Sequence, residues 1–244
     1  MTKLAVIGGS GFNRLESLVV VRREVVRTPF GSPSAPIIHG VFEGKEIAFL
    51  PRHGSGHTIP PHKVNYRANL YALKQVGVEY VIGMAAVGGI TERTEPQQLV
   101  CPDQIIDYTW GRANTYYESD LSEVVHIDFT EPYCQLLRQA LLDAAAEADV
   151  AMLDGATYAA MQGPRLETAA EIDRLERDGC DLVGMTGMPE AALARELDIC
   201  YAHCAIVVNH AAGRGDGPIT MDEIQMHLDS GMHSARAMLA KLDI

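Results

Sequence analysis

The chain has 244 residues, 47% of them hydrophobic, and its 32 acidic against 20 Lys or Arg residues give a formal net charge of −12 at pH 7. That length suits one sizeable α/β domain or two small ones, and the acidity argues against nucleic acid or an anionic membrane as partner. No apolar run approaches the roughly 20 residues that a bilayer span needs.

With no linker, low-complexity tract or repeat, residues 1–244 read as a single domain. Residues 4–7 form a short apolar strand running into Gly8-Gly9-Ser10-Gly11. Backbone N–H groups and a hydroxyl there suit phosphate, although a plain turn has an equal claim. The loop lacks both the Gly-Lys-Ser/Thr of a Walker loop and the GxGxxG spacing of a dinucleotide fold. Residues 37–50 read as a hairpin around Glu43-Gly44-Lys45. The loop Pro51-Arg52-His53-Gly54-Ser55-Gly56-His57 follows. Arg52 beside His53 suits an oxyanion held by bidentate, charge-assisted bonds, against the plainer reading of a polar surface loop.

Apolar residues recur at helical spacing over 62–75, and Gly77 stops that helix. A buried strand spans 80–86, running into Val87-Gly88-Gly89, and an amphipathic helix is expected over 131–149. The stretch 158–196 reads as strand, Gly163-Pro164 turn, helix (169–177), the buried run Leu182-Val183-Gly184, a polar turn, and a helix opened by Pro189-Glu190. A further strand over 199–208 ends at Asn209, and residues 221–242 close the chain as a helix. Buried strands alternating with helices imply an α/β fold: a central mixed, twisted sheet flanked by helices on both faces.

Ser10, Arg52, His53 and Thr186 all fall at expected strand exits, where open α/β sheets bind their ligands, which favours one phosphate-sized site. Glu167, Met185 and Thr186 lie at neighbouring exits, where a carboxylate, a thioether and a hydroxyl at one sheet edge suggest a pocket for a flat polar ring and an anion, and the Asn209 amide can read a base edge. Taken singly, Glu167 is equally a helix-start carboxylate and Asn209 equally a turn cap. The five cysteines (Cys101, Cys134, Cys180, Cys200, Cys204) lack CxxC spacing and read as reduced thiols in cytoplasm, with no metal site.

Taken in order, the GGSG loop, Thr28-Pro29-Phe30-Gly31, the RHGxGH loop, Pro61-His62-Lys63-Val64-Asn65-Tyr66-Arg67-Ala68-Asn69, Gly88-Gly89, Glu131-Pro132-Tyr133, Gln162-Gly163-Pro164-Arg165 and Met185-Thr186-Gly187-Met188-Pro189-Glu190 cover nearly the whole chain. In these segments the sequence resembles the trimeric nucleoside phosphorylases, the family of purine nucleoside and methylthioadenosine phosphorylases. The resemblance implies phosphorolysis of a purine nucleoside, with inorganic phosphate as co-substrate and no cofactor or metal. It places phosphate on Ser10, Arg52, His53, the Ala86 backbone and Thr186, the ribose over Met185, and His126 in the site of a neighbouring subunit of a homotrimer. Ala85 departs from the polar residue usual in relatives.

The same resemblance puts Asn209 and Ala211 where adenine-specific members carry two aspartates. An amide at 209 can donate to a purine O6 and accept from N7–H, while the Glu167 carboxylate accepts N1–H, so a 6-oxopurine is expected. Met221 stands where inosine-cleaving members use a histidine for the 5′-hydroxyl, and a thioether suits a methylthio group. The expected substrate is 5′-methylthioinosine, converted to hypoxanthine and 5-methylthioribose 1-phosphate. Inosine, guanosine or methylthioadenosine are the alternatives within the class. A nucleoside-binding module without turnover, or a dinucleotide oxidoreductase, are the alternatives outside it.

Overall fold

The computed structural model of the protein describes residues 2–9, 17–119 and 122–244. Their elements in chain order are β1 (Leu4–Gly8), β2 (Val19–Glu24), β3 (Ile37–Phe42), β4 (Lys45–Pro51), α1 (Tyr66–Gln75), β5 (Tyr80–Gly89), β6 (Leu99–Cys101), β7 (Gln104–Asp107), α2 (Gln135–Glu147), β8 (Met152–Asp154), β9 (Thr157–Ala160), α3 (Ala169–Arg177), β10 (Leu182–Gly184), α4 (Gly187–Glu196), β11 (Cys200–His210) and α5 (Met221–Lys241).

Local chemistry sets several of these boundaries. The β3–β4 hairpin turns on Glu43 and Gly44, both at positive φ (47° and 81°), the left-handed pair that a two-residue hairpin needs. The helix expected over 62–75 is divided. Pro61–Lys63 form a separate 3-10 turn, and α1 starts where the Asn65 side-chain oxygen accepts the Ala68 N–H at 3.1 Å. The helix expected from 131 begins instead at Gln135, because Cys134 is extended and its N–H is already donated to Tyr201 O. A capping box between Thr168 and Glu171 opens α3.

One mixed sheet runs through the molecule in the order β2-β3-β4-β1-β5-β10-β9-β7, with β11 alongside β5 and then β6 and β8 beyond it. Two apolar layers cover its faces. One joins the sheet to α1 and α4 through Leu70, Leu73, Leu193 and Ala194, and the other joins it to α2 and α5 through Leu137, Leu141, Leu228 and Met232. A smaller cluster packs Ile172 and Leu175 of α3 against Val183 and Ala211.

The feature that makes a site is a fork at β5. One of its edges is paired with β11 from Tyr80 to Gly89. The other edge is shared: β1 pairs with residues 80–83, and β10 pairs antiparallel with Gly88 and Gly89. Residues 84–87 thus have no strand partner on that edge. The Met84 carbonyl points into the gap, where Arg52 reaches it, and strand alternation puts the Ala86 N–H on the same open edge.

The thiol expectation is corrected here. Cys134 and Cys200 form a disulfide with a Cα–Cα separation of 5.1 Å, while Cys101, Cys180 and Cys204 are free and buried. The N-terminus of α2 is laid across the start of β11, a proximity hidden by the 66-position separation of the two cysteines. Among the described residues no helix is long and apolar enough to cross a membrane, and no group of His, Cys, Asp or Glu is placed to hold a metal.

Candidate active site

A cavity of about 680 Å³ opens at the β5 fork. Its lining includes Arg52 and His53 after β4, Ala85 and Ala86 on β5, Glu167 before α3, Met185 and Thr186 after β10, Asn209 and Ala211 at the end of β11, and Met221 at the start of α5. The fold therefore gathers nine of the residues singled out in the sequence, together with Ala85. Ser10 lies outside the described residues. His126 is exposed and absent from the cavity of its own protomer.

Arg52 forms the floor and is fully buried. Its Nε and Nη2 donate to Oε2 and Oε1 of Glu190, both at 2.7 Å, and Nη1 donates to Met84 O at 2.8 Å. The Tyr201 hydroxyl donates to the same carboxylate at 2.8 Å. Burial alone would lower the Arg52 pKa, but Glu190 offsets this and holds it above its ordinary value. A guanidinium has five N–H donors; three are spent here, and two remain for a ligand. The bidentate face expected to clasp an anion is instead turned onto Glu190, since a buried cation must be neutralised by a buried partner. Gly9 is required beside it, because a Cβ there would lie 2.9 Å from Arg52 Nη1 and 2.8 Å from Met84 O.

His53 stands next to this cation. Its Nδ1–H donates to Ile59 O at 2.7 Å, and a carbonyl can only accept, so Nδ1 carries the proton. Burial, and then the Arg52 charge, push its pKa down to about 4. The neutral ring is left with Nε2 as an acceptor, matched to a protonated oxygen such as that of monohydrogen phosphate. Thr186 is the N-cap of α4, yet its hydroxyl makes no capping bond. Its N–H is held by the Tyr158 hydroxyl at 3.4 Å. Two arginine N–H groups, the Thr186 hydroxyl, an imidazole acceptor and the open edge of β5 can together bind an oxyanion.

Asn209 lies at a register shift in β11, between Val207 and Asn209, where a bulge re-aims its side chain. Its amide donates to His210 O at 2.6 Å, leaving one N–H and the carbonyl oxygen to a ligand. In the same cavity, burial pushes the Glu167 carboxyl up in pKa. Met185 is pressed against the Gly163 turn, where a Cβ would sit 2.4 Å from its sulfur. Met221 lines the cavity but is 74% exposed, so the apolar wall is shared with Ile219, Ile224 and Leu228. Sequence reasoning missed Glu190 and Tyr201 as the supports of Arg52. The only signal for Glu190 is a carboxylate in the first turn of a helix, a position the helix dipole already explains.

The chain matches the model of the Phosphorylase superfamily over residues 3–242. It is 52% identical over 240 residues to a probable S-methyl-5'-thioinosine phosphorylase of Xanthomonas campestris pv. campestris, covering 98% of this chain and 96% of that one. A 6-oxopurine nucleoside phosphorylase of Pyrococcus furiosus is 46% identical over 229 residues, covering 92% and 85%. Among solved structures, methylthioadenosine phosphorylase from Schistosoma mansoni in complex with adenine superposes with a TM-score of 0.94 at 33% identity, over 99% of this chain and 91% of that one. With an α/β sheet of this type and a family match along almost its full length, the chain belongs to the Phosphorylase superfamily.

Proposed function

We propose that this enzyme cleaves 5′-methylthioinosine with inorganic phosphate, releasing hypoxanthine and 5-methylthioribose 1-phosphate. The observation that carries the reading is the pair Asn209 and Ala211 at the end of β11, lining the same cavity as Glu167. Neither 209 nor 211 offers a carboxylate to an exocyclic amine, whereas the amide can donate to O6 and accept from N7–H as the leaving base gains a proton. The relatives named as S-methyl-5'-thioinosine phosphorylases support the same substrate.

Bond cleavage gives the ribosyl group oxocarbenium character and leaves negative charge on the purine. Phosphate held by Arg52, His53, Thr186, Ser10 and the Ala86 N–H would approach the sugar from the β5 side, over Met185. Positioning and electrostatics do the work, so no side-chain nucleophile, metal or cofactor is invoked. The catalytic roles fall to Asn209 and Glu167 on the base and His53 on the phosphate. The apolar wall of Ile219, Met221, Ile224 and Leu228 suits an S-methyl group. The exposure of Met221 favours inosine as the second reading, because an open rim also admits a hydrated 5′-hydroxyl.

His126 is exposed beside Val124 and Val125. We assign this segment to the neighbour's site in a homotrimer. A cytoplasmic location is proposed with one consequence: the Cys134–Cys200 bridge must then resist the reducing glutathione pool. The test is a panel of methylthioinosine, methylthioadenosine, inosine and adenosine, each with and without phosphate. Phosphate-dependent release of hypoxanthine from methylthioinosine is expected to be fastest. Preferred cleavage of either adenine nucleoside would refute the assignment.

A further inference from the structure

Arg112 lies outside the cavity lining, yet it is the most heavily bonded side chain around it. Its Nε donates to Gln162 Oε1 at 3.1 Å. Nη1 donates to the carbonyls of Met185 (2.9 Å) and Met188 (2.6 Å), and Nη2 to those of Met161 (3.1 Å) and Gln162 (2.9 Å). Nη1 also reaches the Tyr66 hydroxyl at 3.4 Å, so six acceptors meet the five N–H donors of one guanidinium and every donor is used. Four of the acceptors are backbone carbonyls at the exits of β9 and β10.

Those carbonyls need such a partner. Met161 and Gln162 have just left β9, and Met188 breaks the first turn of α4 with φ −117° and ψ 140°, so regular hydrogen bonding ends at both places. The β9 exit leads through the Gly163 turn to Glu167, and the β10 exit presents Met185 and Thr186. The two exits also touch directly, at Gly163 against the Met185 sulfur. One side chain thus fastens the segment bearing Glu167 to the segment bearing Met185.

We propose that Arg112 is the positioning residue that fixes the separation between the sugar-facing wall at Met185 and the base-facing wall at Glu167. This rests on the nucleoside assignment made above for what the two walls contact. The residue acts chiefly on the nucleoside side: on the phosphate side it reaches Thr186 alone, through the β10 exit, while the Arg52–Glu190 pair is secured by separate bonds.

Lysine offers three donors and no planar fork, so Arg112→Lys keeps the charge and loses the geometry. Hydrogen–deuterium exchange of wild type and Arg112→Lys is compared over residues 161–167 and 185–188, alongside initial rates with each substrate varied. Exchange in both segments should accelerate, and the methylthioinosine KM should rise about tenfold or more, the scale of one or two lost hydrogen bonds, with the phosphate KM moving less. Unaltered exchange in both segments, or a phosphate KM that moves as far as the nucleoside KM, overturns the proposal. If the lysine variant does not fold, Arg112→Ala is titrated with guanidinium. Recovery of protection by guanidinium but not by methylammonium supports the proposal, and no selective recovery overturns it. A wild type that fails to cleave methylthioinosine refutes the substrate assignment, while the exchange comparison still decides the role of Arg112.

Discussion

Replacing Glu190 by Gln tests whether the Arg52 floor of the cavity, proposed to hold phosphate, depends on a buried counter-charge. The carboxylate accepts from Arg52 Nε and Nη2 at 2.7 Å and from the Tyr201 hydroxyl at 2.8 Å, all without solvent. An amide keeps one oxygen and turns the other position into a donor, so at least one of these three donors faces another donor. It also leaves the guanidinium without a counter-charge, a state that costs about 3–5 kcal/mol in a protein interior. Against a typical stability of about 5–15 kcal/mol, Glu190→Gln should lose about a fifth of its margin or more. The double variant Arg52→Met with Glu190→Leu removes both charges and should recover part of that loss, because no buried charge is left unpaired and only the Tyr201 hydroxyl and the Met84 carbonyl lose a partner. Urea denaturation measures the three free energies, and phosphate-varied kinetics follow in parallel. Glu190→Gln should raise the phosphate KM about tenfold as Arg52 loses its aim, the effect of roughly one charge-assisted bond. The double variant should be stable yet deficient in phosphate use. A Glu190→Gln protein as stable as wild type, or a double variant less stable than the single one, would refute the reasoning.

Three further outcomes follow from the same geometry. Reducing the Cys134–Cys200 bridge, which closes a 66-residue separation, should cost about 4 kcal/mol on the loop-entropy estimate; an unchanged melting temperature after reduction would contradict it. His53 and His203 are held down to about 4 and about 3, by burial first and then by the Arg52 cation, so the unfolded chain binds protons that the folded one refuses. Stability should fall as pH drops from about 6.5 towards 4, by at most about 1.4 kcal/mol per pH unit for each histidine, and His203→Phe should flatten the slope seen by urea unfolding. An equal slope in that variant would remove His203 from the account. Asn209→Asp with Ala211→Asp and Glu167→Ser should shift kcat/KM from methylthioinosine towards methylthioadenosine, and a wild type that already prefers methylthioadenosine would sink the hydrogen-bond logic.

The long elements are legible in the sequence because each carries a single strong period or run. The hairpin at Glu43-Gly44, the apolar runs of β5 and β11 and the amphipathic face of α5 are of this kind. The short strands β6, β7 and β8 are not, for three or four residues hold no full period. Strand β2 is hidden for a different reason. Val19, Val20 and Val21 are all largely exposed, so the edge strand lacks the alternation that a half-buried strand shows. The fork at β5 is also invisible, since partner choice along one strand depends on segments far away in the chain.

The site divides along the same line. Residues that line the cavity are legible because their chemistry is unusual for a strand exit: Arg52 beside His53, Thr186, and Asn209. Residues that hold those in place are not. Glu190 lies 138 positions from Arg52, and Arg112 reaches its partners across 46 to 76 positions. Donor accounting in the folded chain separates the two kinds. Arg52 spends three of its five N–H groups on the protein and lines the cavity, whereas Arg112 spends all five and lies outside it. An arginine with donors to spare beside a cavity is available to an anion, and one with none is part of the frame. That distinction needs coordinates, because the sequence records only that each position is arginine.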